Sequence, residues 1–350
     1  MKGFADKLIS WYDNHKRDLP WRRTKDPYHV WLSEIILQQT RVDQGMSYYL
    51  TFINEYPSVQ DLAHATEDHV LANWQGLGYY SRARNLHASA KYICNELKGV
   101  FPNTYTEILK LKGVGPYTAA AIASFSFKEI EPVVDGNVLR VMSRFMGIEE
   151  PINKPLTQHK IKAFCKKVIC KDNPDTFNQA IMEFGSLFCR VKNPDCKQCI
   201  FKNGCKAYED KTVKKIPFKE KTLKRSTRYF DYLFFYKNDS IWIKKRKEKG
   251  IWLGLHEGYL IESKEDVSEK VIKGNIAFVG LGRSIEIKQI TKRSRHVLSH
   301  QDLWIKYWFI YTKNSEEQLE TKDLFQIHPN ELENYGFPIV TKNALYKFFR

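Results

Sequence analysis

Four cysteines fall in one short run, CRVKNPDCKQCIFKNGC, as Cys189, Cys196, Cys199 and Cys205, with six, two and five residues between them. Thiolates this close in a reducing compartment share a metal centre. Zinc takes four thiolates in structural sites, and so does a [4Fe–4S] cube. Zinc ribbons pair two Cys-x2-Cys claws across a longer loop, whereas one claw occurs here, so the spacing alone leaves both metals open. Cys94, Cys165 and Cys170 stand outside the run and are expected to be ordinary buried thiols. A second chemical feature is LKGVGPYTAAAIASF. Gly113 and Gly115 allow a tight turn between a helix expected over 105–111 and one that starts at Pro116, a residue suited to a first helical turn. Uncovered amides at a helix start form a seat for phosphate. A plain helix–helix turn uses the same residues.

These features need a helical frame, and residues 1–209 have the pattern for one. TEDHVLANW, NLHASAKYICNEL and TAAAIASFSF carry periodic apolar positions. Residues 33–42 are expected to be helical too, apart from the polar stretch Gln38–Arg41. Turn signals separate these segments at Tyr56-Pro57, Gly76-Leu77-Gly78, Phe101-Pro102 and Glu131-Pro132. Residues 211–228 hold eight Lys or Arg against Glu220 alone, with no apolar stripe. They are expected to form a linker over 210–228, as a solvated spacer or a phosphate-facing strap. Beyond it the pattern is β-like. Residues 229–236 and 241–243 flank a turn and predict a hairpin, and 276–279 and 304–311 favour strands. Residues 264–271 and 329–335 suit helices. The second half is therefore expected to be a separate α+β domain over 229–350.

The 350 residues suit two domains. Apolar residues at 43% exclude wholesale disorder, and no run approaches a membrane span. The first twenty residues lack a secretory apolar stretch, and with seven cysteines this argues against a secreted disulfide scaffold. Fifty-six Lys and Arg against 40 Asp and Glu give +16, a balance suited to nucleic acid.

In order along residues 1–209, the hairpin LKGVGPYTA, the segment VVDGNVLRVMSR and the spacing C-x6-C-x2-C-x5-C resemble the helix-hairpin-helix DNA glycosylases of the endonuclease III superfamily. The resemblance implies a multidomain chain. Its first domain, 1–209, would be an all-α, two-lobed glycosylase domain with a [4Fe–4S] cluster in the 189–205 loop on Cys189, Cys196, Cys199 and Cys205, and with Gly113 and Gly115 on DNA phosphate. Position 117 is Tyr117, where bifunctional members carry a Schiff-base lysine, so strong lyase activity is not expected. LPWRRTKDPYHVWLSEIILQQTRV and QGLGYYSRARNL are similar to the MutY-type adenine DNA glycosylases, which remove adenine mispaired with 8-oxoguanine or guanine. Adenine leaves only when a ring nitrogen is protonated, and the sugar then becomes oxocarbenium-like, so two differently tuned carboxyl groups are wanted. The resemblance assigns Glu34 as the acid and Asp135 as the carboxylate facing the sugar, with Tyr117 beside the intermediate. By residue type alone, Glu34 is a helix carboxylate and Asp135 an N-cap.

The same resemblance places Arg17, Trp21, Arg22 and Gln179 at the adenine pocket. It puts Gln39 beside the opposing base pair, and Leu77 and Tyr79 as a wedge in the opened duplex. The family ends in a Nudix-like domain that recognises 8-oxoguanine, here matched by GIWLGLHEGYL and by Leu298-Ser299-His300, where the family usually has Phe-Ser-His. Ser299 and His300 are kept for polar readout. No glutamate-rich magnesium helix occurs in 250–290, so nucleotide hydrolysis is not expected. The implied partner is mispaired duplex DNA, with no membrane, and the implied state is a monomer in the bacterial cytoplasm, at the nucleoid. A thymine glycosylase or a non-catalytic DNA-binding protein is the alternative within these motifs.

Overall fold

A computed structural model of the chain describes residues 3–220, 225–278, 285–313 and 319–349. Two compact units emerge, one of 1–64 with 85–221, the other of 65–84 with 222–350.

The first unit is helical. In chain order its elements are α1 (Phe4–His15), a 3-10 turn (Pro20–Arg22), α2 (Pro27–Ile36), α3 (Val42–Glu55) and α4 (Val59–His64). After α5 (Glu67–Asn73), which belongs to the second unit, come α6 (Ser81–Asn95), whose first four residues are counted in the second unit, α7 (Tyr105–Ile108), α8 (Pro116–Phe127), α9 (Gly136–Met146), α10 (Pro155–Val168), α11 (Pro174–Leu187) and α12 (Lys206–Glu209). Local chemistry starts several of them. Asp26 accepts from the Tyr28 amide ahead of Pro27, Thr104 caps α7, and Asp135 caps α9. α8 is buried on every side from Thr118 to Phe125, and its alanines let α2, α7 and α11 approach closely. Phe4, Trp11, Val138, Met142, Phe177, Phe184 and Phe201 form one apolar core under α1, α9, α11 and the cysteine loop.

Of two helical expectations, the exception made for 38–41 holds and the extent of the helix before Gly113 needs correction. α2 stops at Ile36, the chain turns through Gln39 at φ 57°, and α3 begins at Val42. The polar 38–41 stretch offers no stripe to bury, so the helix does not continue. α7 ends at Ile108 and passes into turns before Gly113. Of the thiols outside the loop, Cys165 is buried, whereas Cys94 and Cys170 are half-buried.

The second unit is built on a mixed sheet in the order β3-β2-β1-β7-β5, with β4 also on β1, β6 on β7 and β8 on β2. The strands are β1 (Ser226–Lys237), β2 (Ser240–Lys245), β3 (His256–Glu257), β4 (Tyr259–Ser263), β5 (Ile285–Ile290), β6 (Ser294–Val297), β7 (Gln301–Thr312) and β8 (Phe325–Ile327). β1 and β2 form the expected hairpin across Asn238 and Asp239. β1 and β7 run parallel from the pair Ser226 with Gln301 to Tyr236 with Tyr311. Such a central pair needs cover on both faces. α13 (Glu269–Phe278) places Ile272 and Ile276 on the core with Trp308 and Ile310. α14 (Ile339–Phe349) stacks Phe348 on Phe309 with ring centroids 3.9 Å apart.

The strand expected at 276–279 is helical through Phe278, and Val279 lies outside the described residues. The spacing of Ile272 and Ile276, one helical turn apart, decides it against β-branching. Helix in the 264–271 segment begins only at Glu269, and 329–334 is a 3-10 helix. The last three residues of the expected linker, 226–228, already belong to β1, and 221–224 lie outside the described residues. Residues 65–84 pack within this unit. Gln75 Nε2 donates to the Phe337 carbonyl at 2.7 Å, Lys245 pairs with Asp68 at 2.7 Å, and the Arg84 guanidinium meets the Leu253 carbonyl.

Candidate active site

A cavity of about 200 Å³ in the first unit gathers residues from six elements. Glu34 enters it from the last turns of α2 and is only 7% exposed. The glycine turn sets the start of α8, where Gly113 has φ 81° and a Cβ there would meet the Asn85 side chain at 2.6 Å. Gly115 is extended with open space beside it, which leaves the helix start uncovered. That turn aims Tyr117 inward, and its hydroxyl donates to Glu34 Oε2 at 2.6 Å. Burial pushes the Glu34 carboxyl up to about 7, with the hydrogen bond from Tyr117 opposing, Asp135 adding and Arg22 opposing. Burial, then Glu34 itself, raise the Tyr117 phenol well above its usual value, so it stays a donor.

Asp135 lines the same cavity from the cap of α9. Its Oδ1 accepts from the Val138 amide at 2.7 Å and its Oδ2 from Asn137 Nδ2 at 2.7 Å. Burial raises this carboxyl, and those donors together with Arg140 pull it back toward the ionised form. The cap and the cavity-facing carboxylate are one side chain.

Opposite them, Arg17, Trp21, Arg22 and Gln179 line the cavity. Glu183 ties the two arginines. It accepts from the Arg17 amide, Nε and Nη2 at 3.0, 2.9 and 2.7 Å, and from Arg22 Nη1 and Nη2 at 3.0 and 2.8 Å. Burial would raise its carboxyl, but these bonds prevail and hold it at about 2. Tyr12 donates to Gln179 Oε1 at 2.7 Å. Gln39 lies in an adjoining cavity of about 500 Å³ that also shows Glu34, Gly115, Tyr117 and Asp135.

Sequence reasoning missed Glu183, Tyr12, Asn137 and Arg140. Glu183 stands four residues after Gln179 on α11, the spacing that shares a helix face, which was a usable signal. Arg140 donates to Asn137 Oδ1 at 2.9 Å, to the Gly185 carbonyl at 2.6 Å and to the Cys189 carbonyl at 2.9 Å. The Asp135 support thus continues to the cysteine loop.

Cys189, Cys196, Cys199 and Cys205 line one small apolar cavity with Val141, Phe145, Phe184 and Phe201. Arg144 is buried above it, with Nη1 3.4 Å from Cys189 Sγ, and the Phe201 amide points at Cys199 Sγ at 3.4 Å. All four thiols are free, and among the described residues no three Cys, His, Asp or Glu close on a point as a single ion requires. Four thiols around a cavity, with N–H donors aimed at sulfur, fit a four-thiolate metal centre.

In the second unit, Leu77, Tyr79, Ser299 and His300 line a cavity of about 570 Å³ with Trp252 and His296. Tyr79 and Ser299 share a hydrogen bond between their hydroxyls. Arg82 supports the Leu77–Tyr79 turn by donating to the Leu77 and Gly78 carbonyls at 3.2 and 3.1 Å. Leu298 N–H donates to the Gln301 carbonyl at 2.8 Å and closes the turn between β6 and β7.

Residues 32–167 match the HhH-GPD superfamily of base excision DNA repair proteins, and 232–347 match a NUDIX domain. The adenine DNA glycosylase of Buchnera aphidicola subsp. Baizongia pistaciae is 35% identical over 89% of this chain and 87% of its own length. The human adenine DNA glycosylase is 41% identical over 58% of this chain and 39% of its own. Among solved structures, a thermostable thymine-DNA glycosylase matches with a TM-score of 0.56 and 27% identity over 60% of this chain and 96% of its own. A non-covalent endonuclease III–DNA complex shares the fold, with a TM-score of 0.51 at 18% identity, over 59% and 94%.

Proposed function

The chain belongs to the adenine DNA glycosylases of the HhH-GPD superfamily, and from that premise we propose that it acts monofunctionally on adenine paired with 8-oxoguanine or guanine. The observation that carries this reading is the pair Glu34 and Asp135 in one cavity, one carboxyl pushed to about 7 and the other held by N–H donors on both oxygens. With Tyr117 bonded to Oε2, Glu34 Oε1 is free to carry the proton that a ring nitrogen of adenine takes up. As the N-glycosidic bond breaks, its electron pair leaves on the adenine and positive charge develops on the sugar. Asp135, whose anion the Val138 and Asn137 N–H donors favour against its burial, stabilises that charge until water adds. Arg17, Trp21, Arg22 and Gln179 hold the base. Gln39 packs beside the opposing pair, and Leu77 and Tyr79 wedge the duplex.

Among the described residues, no lysine lines either cavity around Glu34, which supports hydrolysis without a Schiff base. The open helix start at Gly113 and Gly115 suits a DNA phosphate. In the second unit, Ser299 and His300 would read the N7–H and O8 that distinguish 8-oxoguanine. In this reading the protein acts as a monomer on DNA. Among the described residues no helix is long and apolar enough to cross a membrane.

Single-turnover release of adenine from A:8-oxoG, A:G and A:T duplexes tests the reading, with borohydride trapping alongside. Fast release from A:8-oxoG and little trapping are expected; release from A:T alone, or abundant trapping, overturns it. On the same panel Ser299→Ala/His300→Ala should narrow the A:8-oxoG preference over A:G by ~1–3 kcal/mol of binding discrimination.

The four loop cysteines would hold a [4Fe–4S] cluster, which when bound cross-links the loop that displays Lys192, Lys197 and Lys202. Protein prepared without oxygen should contain about four irons per chain. Cys199→Ser should lose iron, thermal stability and DNA affinity together; zinc in place of iron in the parent would refute the cluster.

A further inference from the structure

Glu183 lies outside the residues given a role in the chemistry, yet it is the most heavily bonded carboxylate facing the base pocket. It is 1% exposed and accepts five N–H bonds from Arg17 and Arg22. Such a group is costly to bury without a partner, and here two cations surround one anion. Both arginines reach the cavity that holds Glu34. We infer that Glu183 is a positioning residue that sets the charge of the base pocket, fixing Arg17 and Arg22 and neutralising one of them so that Glu34 keeps its acid proton. The inference rests on Glu34 being the acid.

The groups that face Glu34 bear this out. Tyr117 comes from α8, Asp135 from the cap of α9, and Arg22 from the 3-10 turn, while α3 reaches this cavity with Val42. Arg22 is the one cation in that set, and it favours the carboxylate over the acid. Its guanidinium is bound on two nitrogens by Glu183, which draws its charge toward α11 and away from Glu34. Around Glu183 itself stand Arg17, Arg22 and, from α1, Tyr12. Arg17 also feels Asp43 from the first turn of α3, so Arg17 keeps a second anion when Glu183 is neutralised. The Tyr12 hydroxyl donates to Gln179, so both polar sides of the base pocket are braced from behind.

This predicts an effect that a merely structural carboxylate would not have. Glu183→Gln leaves Arg22 uncompensated beside Glu34. The alkaline limb of the rate-against-pH profile for A:8-oxoG should then move to lower pH by roughly one unit or more, the scale of one nearby charge. Glu183→Asp retains the charge and should leave the limb near its parental position. A uniform loss of rate in Glu183→Gln with the limb in place overturns the inference. If that variant does not fold, Arg22→Met supplies the test in the opposite sense. Its limb should move to higher pH, and an unmoved limb overturns the inference equally. Parent protein that releases no adenine at any pH fails the glycosylase reading itself. That outcome is distinguishable from an active parent whose limb does not respond to these charges.

Discussion

Glu34→Gln is expected to bind A:8-oxoG duplex with near-parental affinity and to release adenine ~10²-fold or more slowly, the scale of general acid catalysis. Glutamine keeps the shape and can still accept from Tyr117, but it has no acidic proton to give. The pH dependence gives a second, independent check. The Glu34 carboxyl sits at about 7 against an ordinary 4.5, because burial disfavours its charge. Parental excision should therefore fall as pH rises through about 7, while the residual activity of the variant should not follow that limb. Stability moves in the same direction. Below pH 4.5 the group is neutral both folded and unfolded and contributes no difference. Between 4.5 and about 7 the unfolded chain releases the proton first, so the fold loses stability progressively, by an upper figure of ~3 kcal/mol at ~1.4 per pH unit. Glutamine removes that loss. Thermal unfolding at pH 8 should show Glu34→Gln melting above the parent, with the two alike at pH 4. An active, equally stable variant at pH 8 would remove Glu34 from both roles.

Asp135→Asn should slow adenine release by ~10²-fold or more and leave the melting temperature almost unchanged. The reason lies in the double duty of this side chain. As the cap of α9 it accepts from the Val138 amide, and asparagine caps helices about as well as aspartate does. In its proposed role toward the sugar it supplies negative charge, which an amide cannot. Asparagine also exchanges an acceptor for a donor opposite Asn137 Nδ2, which costs that one bond, because Asn137 Oδ1 is already held by Arg140 and the amide cannot flip freely. Single-turnover rates beside thermal melts separate the two duties. A large loss of stability with a proportionate loss of rate would mean that Asp135 serves the helix alone.

The parts of the fold that local rules govern were legible. The glycine turn before Pro116, the hairpin at Asn238 and Asp239, and the clustering of four thiols all follow from residues within a few positions of each other. Glu34 and Asp135 were legible only through the motifs around them, since by type alone they are a helix carboxylate and a cap. The rest depends on distant contacts. Nothing local in 276–279 says that Ile272 and Ile276 meet Trp308, so β-branching misled there. Glu183 finds Arg17 and Arg22 across more than 160 positions, and Arg140 finds Cys189 across 49. Helical spacing would have put Glu183 beside Gln179 without revealing what it bonds.

The membership of residues 65–84 in the second unit has a consequence for the order of events during synthesis. Leu71 and Trp74 are fully buried, and Gln75 bonds to Phe337 and Lys342, 262 and 267 positions later. A ribosome adding ~5–20 residues per second needs on the order of ten seconds or more to deliver those partners. The sheet imposes the same delay, because β1 cannot gain its parallel neighbour until β7 has emerged. A nascent chain halted near residue 221 therefore displays the 65–84 segment without its polar and apolar partners. That segment bears Leu77 and Tyr79, so their turn is the last part of the N-terminal sequence to find its surroundings, and a chaperone that binds exposed apolar chain would meet it first.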